Sequence, residues 1–166
     1  MPQATLLEDM RLGTLELALL TDCPRIDARY RTDVLFEDGY VVAMPPDHPL
    51  SARDTISLRD LHGQDYVNRL HCEKNAEIEA LLGECGASVM THLVSDQDEF
   101  VRRMIKAGLG ISIMPEPLAG DGLTARPLAD PPIARRVVLA SLASRQISGL
   151  AEIIRNQIIS DVENAA

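Results

Sequence analysis

Apolar positions along the chain fall into short runs of strand type and longer stretches of helical spacing. Residues 4–12 carry Leu6, Leu7 and Met10 at helical intervals, and Gly13 stands where the helix must stop. "LELALL" (15–20) is a continuous apolar run, which predicts a strand buried on both faces. Residues 22–33 are charged and irregular, and "YVVAM" (40–44) predicts a second strand. Pro45-Pro46 ends that strand, because two prolines cannot continue a central ladder. "SLRDLHGQDYVNRLHC" predicts a helical turn leading into a strand at 65–68, and Ile78, Leu81 and Leu82 place a helix over 73–82, with Cys85 extending its stripe. "THLV" (91–94) predicts a strand before a helix over 96–107. Ser95 with Asp98 forms a capping-box pattern at its start, and Phe100, Val101, Met104 and Ile105 form its apolar stripe. "GISIM" (110–114) is a strand stopped by Pro115, and residues 116–134 look like a loop. A last strand (136–142) and a last helix (146–160, with Ile147, Leu150, Ile154 and Ile158 aligned) complete the chain.

Strands alternating with helices imply α/β layers around a largely parallel sheet. The proline-rich breaks divide the chain into residues 1–50, residues 51–125 and a return segment, 126–166.

The stretch "VRRMIKAGLGISIMPE" (101–116) raises the question of a phosphate loop. A dinucleotide fingerprint needs a strand, then glycines, then a helix whose N-terminal N–H groups face the phosphate. Here the helix comes first, so carbonyls face the turn, and Gly108 and Gly110 are structural. No nucleophile elbow and no zinc-protease motif occurs either, so the reading is not that of an enzyme. Four histidines and three cysteines lie without metal-ligand spacing, so neither a metal site nor a cofactor is expected.

With 46% hydrophobic residues the chain can pack a core, and its net charge of −9 argues against a nucleic-acid surface. Cys23, Cys72 and Cys85 are an odd number without paired spacing, which fits a reducing, cytoplasmic compartment. The start of the chain lacks signal-peptide character, and no run reaches the roughly 18–20 apolar residues that span a membrane.

In open α/β sheets, ligands gather at the carboxyl ends of parallel strands. Thr21 follows the first strand, Arg69 and His71 follow 65–68, and Ser95 follows 91–94. Arg69 and His71 suit a carboxylate, and Ser95 supplies one more hydrogen bond. Each has a plainer alternative: Ser95 as a helix cap, Arg69 as an ion-pair partner, His71 as an exposed histidine and Thr21 as a turn residue.

"SDQDEFVRRMIKAGLGISIMPE" (95–116), "DHPLS" (47–51) and "MRLGTLELALL" (10–20) occur in an order and spacing that resembles the regulatory part of LysR-type transcriptional regulators. The resemblance implies a fold like that of periplasmic binding proteins, with two small α/β lobes, crossover strands and a small-molecule cleft walled in part by Met114 and Pro115. It implies an effector-sensing domain that controls transcription through a helix-turn-helix. This chain shows neither that element nor the opening strand–helix–strand of the first lobe, so an incomplete first lobe is expected. A small carboxylate effector and a homodimer held by outer helix faces are the expected partners, with no nucleic-acid contact by this chain itself and no membrane. A stand-alone solute-binding protein of periplasmic type is the alternative.

A redox switch centred on Cys72 is a third reading. "HC" (71–72) resembles the sensing cysteine of peroxide-responsive members, but the position nine residues later, where those carry a partner cysteine, is Leu81. Cys85 is predicted at the far end of the same helix, roughly 20 Å away at 1.5 Å per residue. A disulfide needs Cα atoms within about 7 Å.

Overall fold

The computed structural model describes residues 3–70 and 72–165. In chain order it contains α1 (Gln3–Leu12), β1 (Ala18–Thr21), β2 (Tyr30–Met44), β3 (Ile56–Ser57), β4 (Asp65–Arg69), α2 (Asn75–Glu84), β5 (Met90–Ser95), α3 (Asp98–Lys106), β6 (Ser112–Pro115), α4 (Glu116–Ala119), β7 (Thr124–Asp130), β8 (Ala134–Leu142) and α5 (Gly149–Ala165). Short 3-10 turns at Pro49–Ala52 and Leu58–Leu61 flank β3. The chain forms two compact units, one of Met1–Glu37 with Arg135–Ala166, the other of Asp38–Ala134.

In the first unit β1 runs antiparallel to β8, with Ala18 opposite Ala140 and Thr21 opposite Val137. The opening of β2 lies on the other side of β8, where Ala143 N donates to Arg29 O. Leu7 and Met10 of α1 pack on Ala18, Leu20, Val138 and Ala140. The apolar run at 15–20 therefore becomes a strand only from Ala18, and it alternates: Leu20 is buried while Leu19 is 56% exposed. The sheet here has one packed face, which is why the expected double burial fails. The stripe along the last helix also fails to bury, since Leu150 and Ile154 of α5 stay exposed and Ala151 is its buried residue.

The second unit is built on the C-terminal half of β2. Val41–Ala43 lie between β6 and β7, antiparallel to both. Side chains alternate across the pleat, so Tyr40, Val42 and Met44 enter one core and Val41 and Ala43 the other. Both faces are covered, which suits a segment with no polar side chain. β4 and β5 form a parallel pair, and β3 runs parallel to β7. A single parallel bridge, Tyr66 with Ile111, joins β4 to the segment leading into β6.

Four expectations need correction. The sheet is mixed rather than largely parallel, because β2 and its neighbours β6 and β7 are antiparallel. The strand expected at 40–44 begins at Tyr30, in a stretch whose residues are mostly exposed and so carry little apolar signal. The expected loop at 116–134 contains α4 and the strand β7, of which only Leu128 is fully buried. In α3, Val101 and Ile105 face the core, but Phe100 is 49% exposed.

The Gly-x-Gly joint is structural. Gly108 has φ +75° and closes α3 with bonds from its N–H to Ile105 O and from Leu109 N to Met104 O, a Schellman cap. Gly110 has φ +147°, and a Cβ there would sit 2.7 Å from Asp65 O. That closeness is what lets Ile111 N donate to Asp65 O and Val67 N to Ile111 O. Gly110→Ala is expected to destabilise the protein by on the order of 2 kcal/mol, through strained backbone and collision with β4. Urea unfolding of the variant against the parent checks this, with Gly83→Ala, in open space, as the control.

Candidate functional site

β4 and β5 are parallel, with a one-residue register shift between Tyr66 and Val67, and their carboxyl ends come together with Arg69 opposite Ser95. Leu70 N donates to Ser95 O at 2.9 Å and locks the two tips side by side. Two of the residues singled out in the sequence are therefore neighbours. Arg69 is 7% exposed, unusual for a guanidinium. Its Nε donates to Asp98 Oδ1 at 2.7 Å, and Asp98 sits in the first turn of α3. Burial disfavours the charged form of Arg69, but the hydrogen bond and charge of Asp98 outweigh it and hold the pKa above the ordinary arginine value.

That ion pair uses one edge of the guanidinium. Arg69 Nη1 is buried with no hydrogen-bond partner among the described residues, as is Asn68 Oδ1 next to it on β4. Buried donors without partners are rare, and each costs desolvation until something accepts from it. A two-oxygen anion would satisfy Nη1.

Asp98 was expected to complete a capping box with Ser95. Instead Gln97 is the N-cap and makes no side-chain cap bond. Ser95 Oγ accepts from Gln97 N at 3.1 Å, a local turn that leaves Ser95 half-buried at the strand tip. Asp98 is committed to Arg69, twenty-nine residues away in sequence, and nothing in the local pattern signals that pairing.

The other candidates lie elsewhere. Met114 is part of the core with Val41, Val67, Val101 and Ile105, and Pro115 pairs with Tyr40 and precedes α4. Thr21 belongs to the first unit, at the end of β1, where its carbonyl accepts from Gln3 Nε2 at 2.7 Å. His71 lies outside the described residues.

The chain matches the model of the LysR substrate binding domain over residues 1–161. It belongs to that family. Among relatives of the family domain, it is 26% identical over 161 residues to the HTH-type transcriptional regulator YybE of Bacillus subtilis, covering 93% of this chain and 54% of that protein. It is 26% identical over 113 residues to a hydrogen peroxide-inducible genes activator of Haemophilus influenzae, covering 67% of this chain and 37% of the relative. The chain thus spans between about a third and a half of these relatives' length. The fold matches the regulatory domain of CcmR from Synechocystis PCC6803 in complex with 2-PG, with TM-score 0.85, 20% identity, and 98% and 81% of the two chains covered. It also matches the effector binding domain of QuiR in complex with shikimate, with TM-score 0.81, 20% identity, and 99% and 79% covered.

Within this LysR domain Cys72 follows the β4 tip, its N–H donating to Arg69 O at 3.1 Å. The thiol is buried, and burial pushes its pKa above the ordinary value despite the opposing pull of the Lys74 N–H and the Arg69 charge. A peroxide-reactive cysteine needs the opposite shift, toward thiolate. All three cysteines are free, and Cys85 caps the far end of α2.

At neutral pH Cys72 is expected to alkylate with iodoacetamide more slowly than Cys23 or Cys85, and to resist sulfenate formation by dilute peroxide, both read by peptide mass spectrometry. The raised thiol pKa also carries a sign for stability. A group harder to ionise when folded contributes fully below its unfolded pKa, roughly 8.5, and loses that contribution as pH rises. The urea midpoint should fall as pH rises above the ordinary thiol pKa of roughly 8.5, and Cys72→Ala should flatten part of that decline.

Proposed function

We propose that this chain is the effector-sensing module of a LysR-type transcriptional regulator, and that its effector is a small carboxylate held by Arg69. The reading rests on the buried, unpartnered Nη1 of Arg69 at the joined tips of β4 and β5, in a chain that belongs to this family. Ser95 supplies a second polar contact beside it. A guanidinium fork already fixed by Asp98 presents its remaining N–H groups in a set direction, which favours a planar two-oxygen acceptor.

The work of such a module is conformational rather than catalytic. A ligand with higher affinity for one state of the domain shifts the population toward that state in proportion to the difference. In a full-length regulator that shift reaches a helix-turn-helix, and the setting is the cytoplasm. Domains of similar fold bind 2-PG, shikimate and, for BenM, benzoate, and the last two are carboxylates.

Thermal-shift and calorimetric screening of the chain against benzoate, shikimate and simple aliphatic acids tests the reading. At least one acid should bind saturably, and Arg69→Ala should weaken it roughly 10- to 100-fold, the worth of a charge-assisted pair. Arg69→Lys should not restore it. Binding that is unchanged in Arg69→Ala, with the variant folded by circular dichroism, would sink the assignment.

The module is also proposed to work as a homodimer. Leu150, Ile153 and Ile154 form an exposed apolar face on α5, of the kind a second copy covers. Sedimentation should give twice the chain mass for the parent and the single chain mass for Leu150→Glu with Ile154→Glu.

A further inference from the structure

Independently of the effector reading, the first unit holds a polar cavity of about 230 Å³, lined by Arg31, Ser141, Arg145, Ile147, Glu152 and Arg155 together with Gln146. It lies where β8 ends and α5 begins. Thr21 is paired with Val137, and Ser141 is four residues further along β8, so at about 3.4 Å per residue the cavity is roughly 14 Å from the Thr21 end of this sheet. Arg69 belongs to the other unit altogether.

Three guanidiniums in one recess are unexpected in a chain of net charge −9. Their partners differ. Arg155 is gripped at both ends by Asp33, through Nε to Oδ2 at 2.7 Å and Nη2 to Oδ1 at 2.6 Å, and Glu152 adds negative charge beside it. Its charge is already answered. Arg31 and Arg145 make no side-chain hydrogen bond or ion pair among the described residues. The guanidinium of Arg145 lies against Gly13, in the space a Cβ there would fill. Glu16 feels the Arg145 charge only weakly, because its carboxylate is held by the N–H and hydroxyl of Ser148, each at 2.7 Å.

Ser141 is the second observation. It is 9% exposed, it lines the cavity, and its hydroxyl has no partner among the described residues. The hydroxyl opens on the recess beside Arg31 and Arg145, so it can donate to an acceptor held there.

We propose that this recess is a binding site for a phosphoryl group, held by Arg31, Arg145 and the Ser141 hydroxyl. Donors from three side chains outnumber the two oxygens of a carboxylate and suit the oxygens of a phosphate. The volume leaves room beyond a bare ion, so the phosphoryl group arrives either as inorganic phosphate or as a small phosphomonoester.

Isothermal titration of the full chain at fixed ionic strength with sodium phosphate, glycerol 3-phosphate and sodium chloride tests this. Saturable binding of one or both phosphoryl compounds, absent with chloride, is expected. Tighter binding of the ester assigns the site to a metabolite, and tighter binding of phosphate to the free ion. Arg31→Ala and Arg145→Ala should each weaken binding roughly 10-fold, and Ser141→Ala by a few-fold. Arg69→Ala should leave it unchanged, which separates this site from the carboxylate site. Arg31→Gln keeps the strand's side-chain stem and serves if Arg145→Ala fails to fold. No saturable phosphate or ester binding by the parent, or full binding by folded Arg31→Gln, overturns the proposal.

Discussion

The second unit depends on burying one strand from both sides. Val41, Val42, Ala43 and Met44 of β2 are almost wholly removed from water, with β6 and β7 on either flank and a separate apolar core on each face. Such a strand has no polar face, so neither core can loosen without exposing the other's floor. The arrangement fixes β6, and β6 in turn fixes β4. Ile111 exchanges backbone bonds with Asp65 and Val67, an approach that only Gly110 permits. The position of Arg69 is thus inherited from β2 through two strands and one glycine.

Arg69 itself is a charge kept in a place that charges avoid. Removing a guanidinium from water costs several kcal/mol before compensation, on the order of the net stability of a small domain. Asp98 offsets part of that cost, from a position half in solvent. The remainder is borne by the fold, since Nη1 meets no acceptor among the described residues.

Legibility in the sequence followed how local each determinant is. Helix α3, with acids in its first turn, bases in its last and glycine after it, was readable because dipole and cap effects act within a few residues. That the ends of β4 and β5 lie side by side, with Arg69 next to Ser95, was readable because the strand–helix order implies a parallel pair. The opening of β2 and the whole of β7 were not. Both are strands whose pairing comes from neighbours distant in sequence, and both bury few of their side chains fully, so no period of two stood out. Asp98 was misread for a related reason. Ser95 and Asp98 have the spacing of a capping box, but the register of β4 on β5 brings Arg69 to α3, and a buried cation outcompetes a backbone N–H for the carboxylate.

The bridge between Tyr66 and Ile111 has one more effect. Because β4 meets the larger sheet on one side and β5 on the other, β5 has no further strand partner among the described residues. Its outward backbone groups are unclaimed along Met90–Ser95, with Met90 and Val94 in solvent and His92 tethered to Asp65 at 2.9 Å. A bare ladder of this kind accepts an added strand, from a neighbouring molecule or an extended peptide, in continuous register.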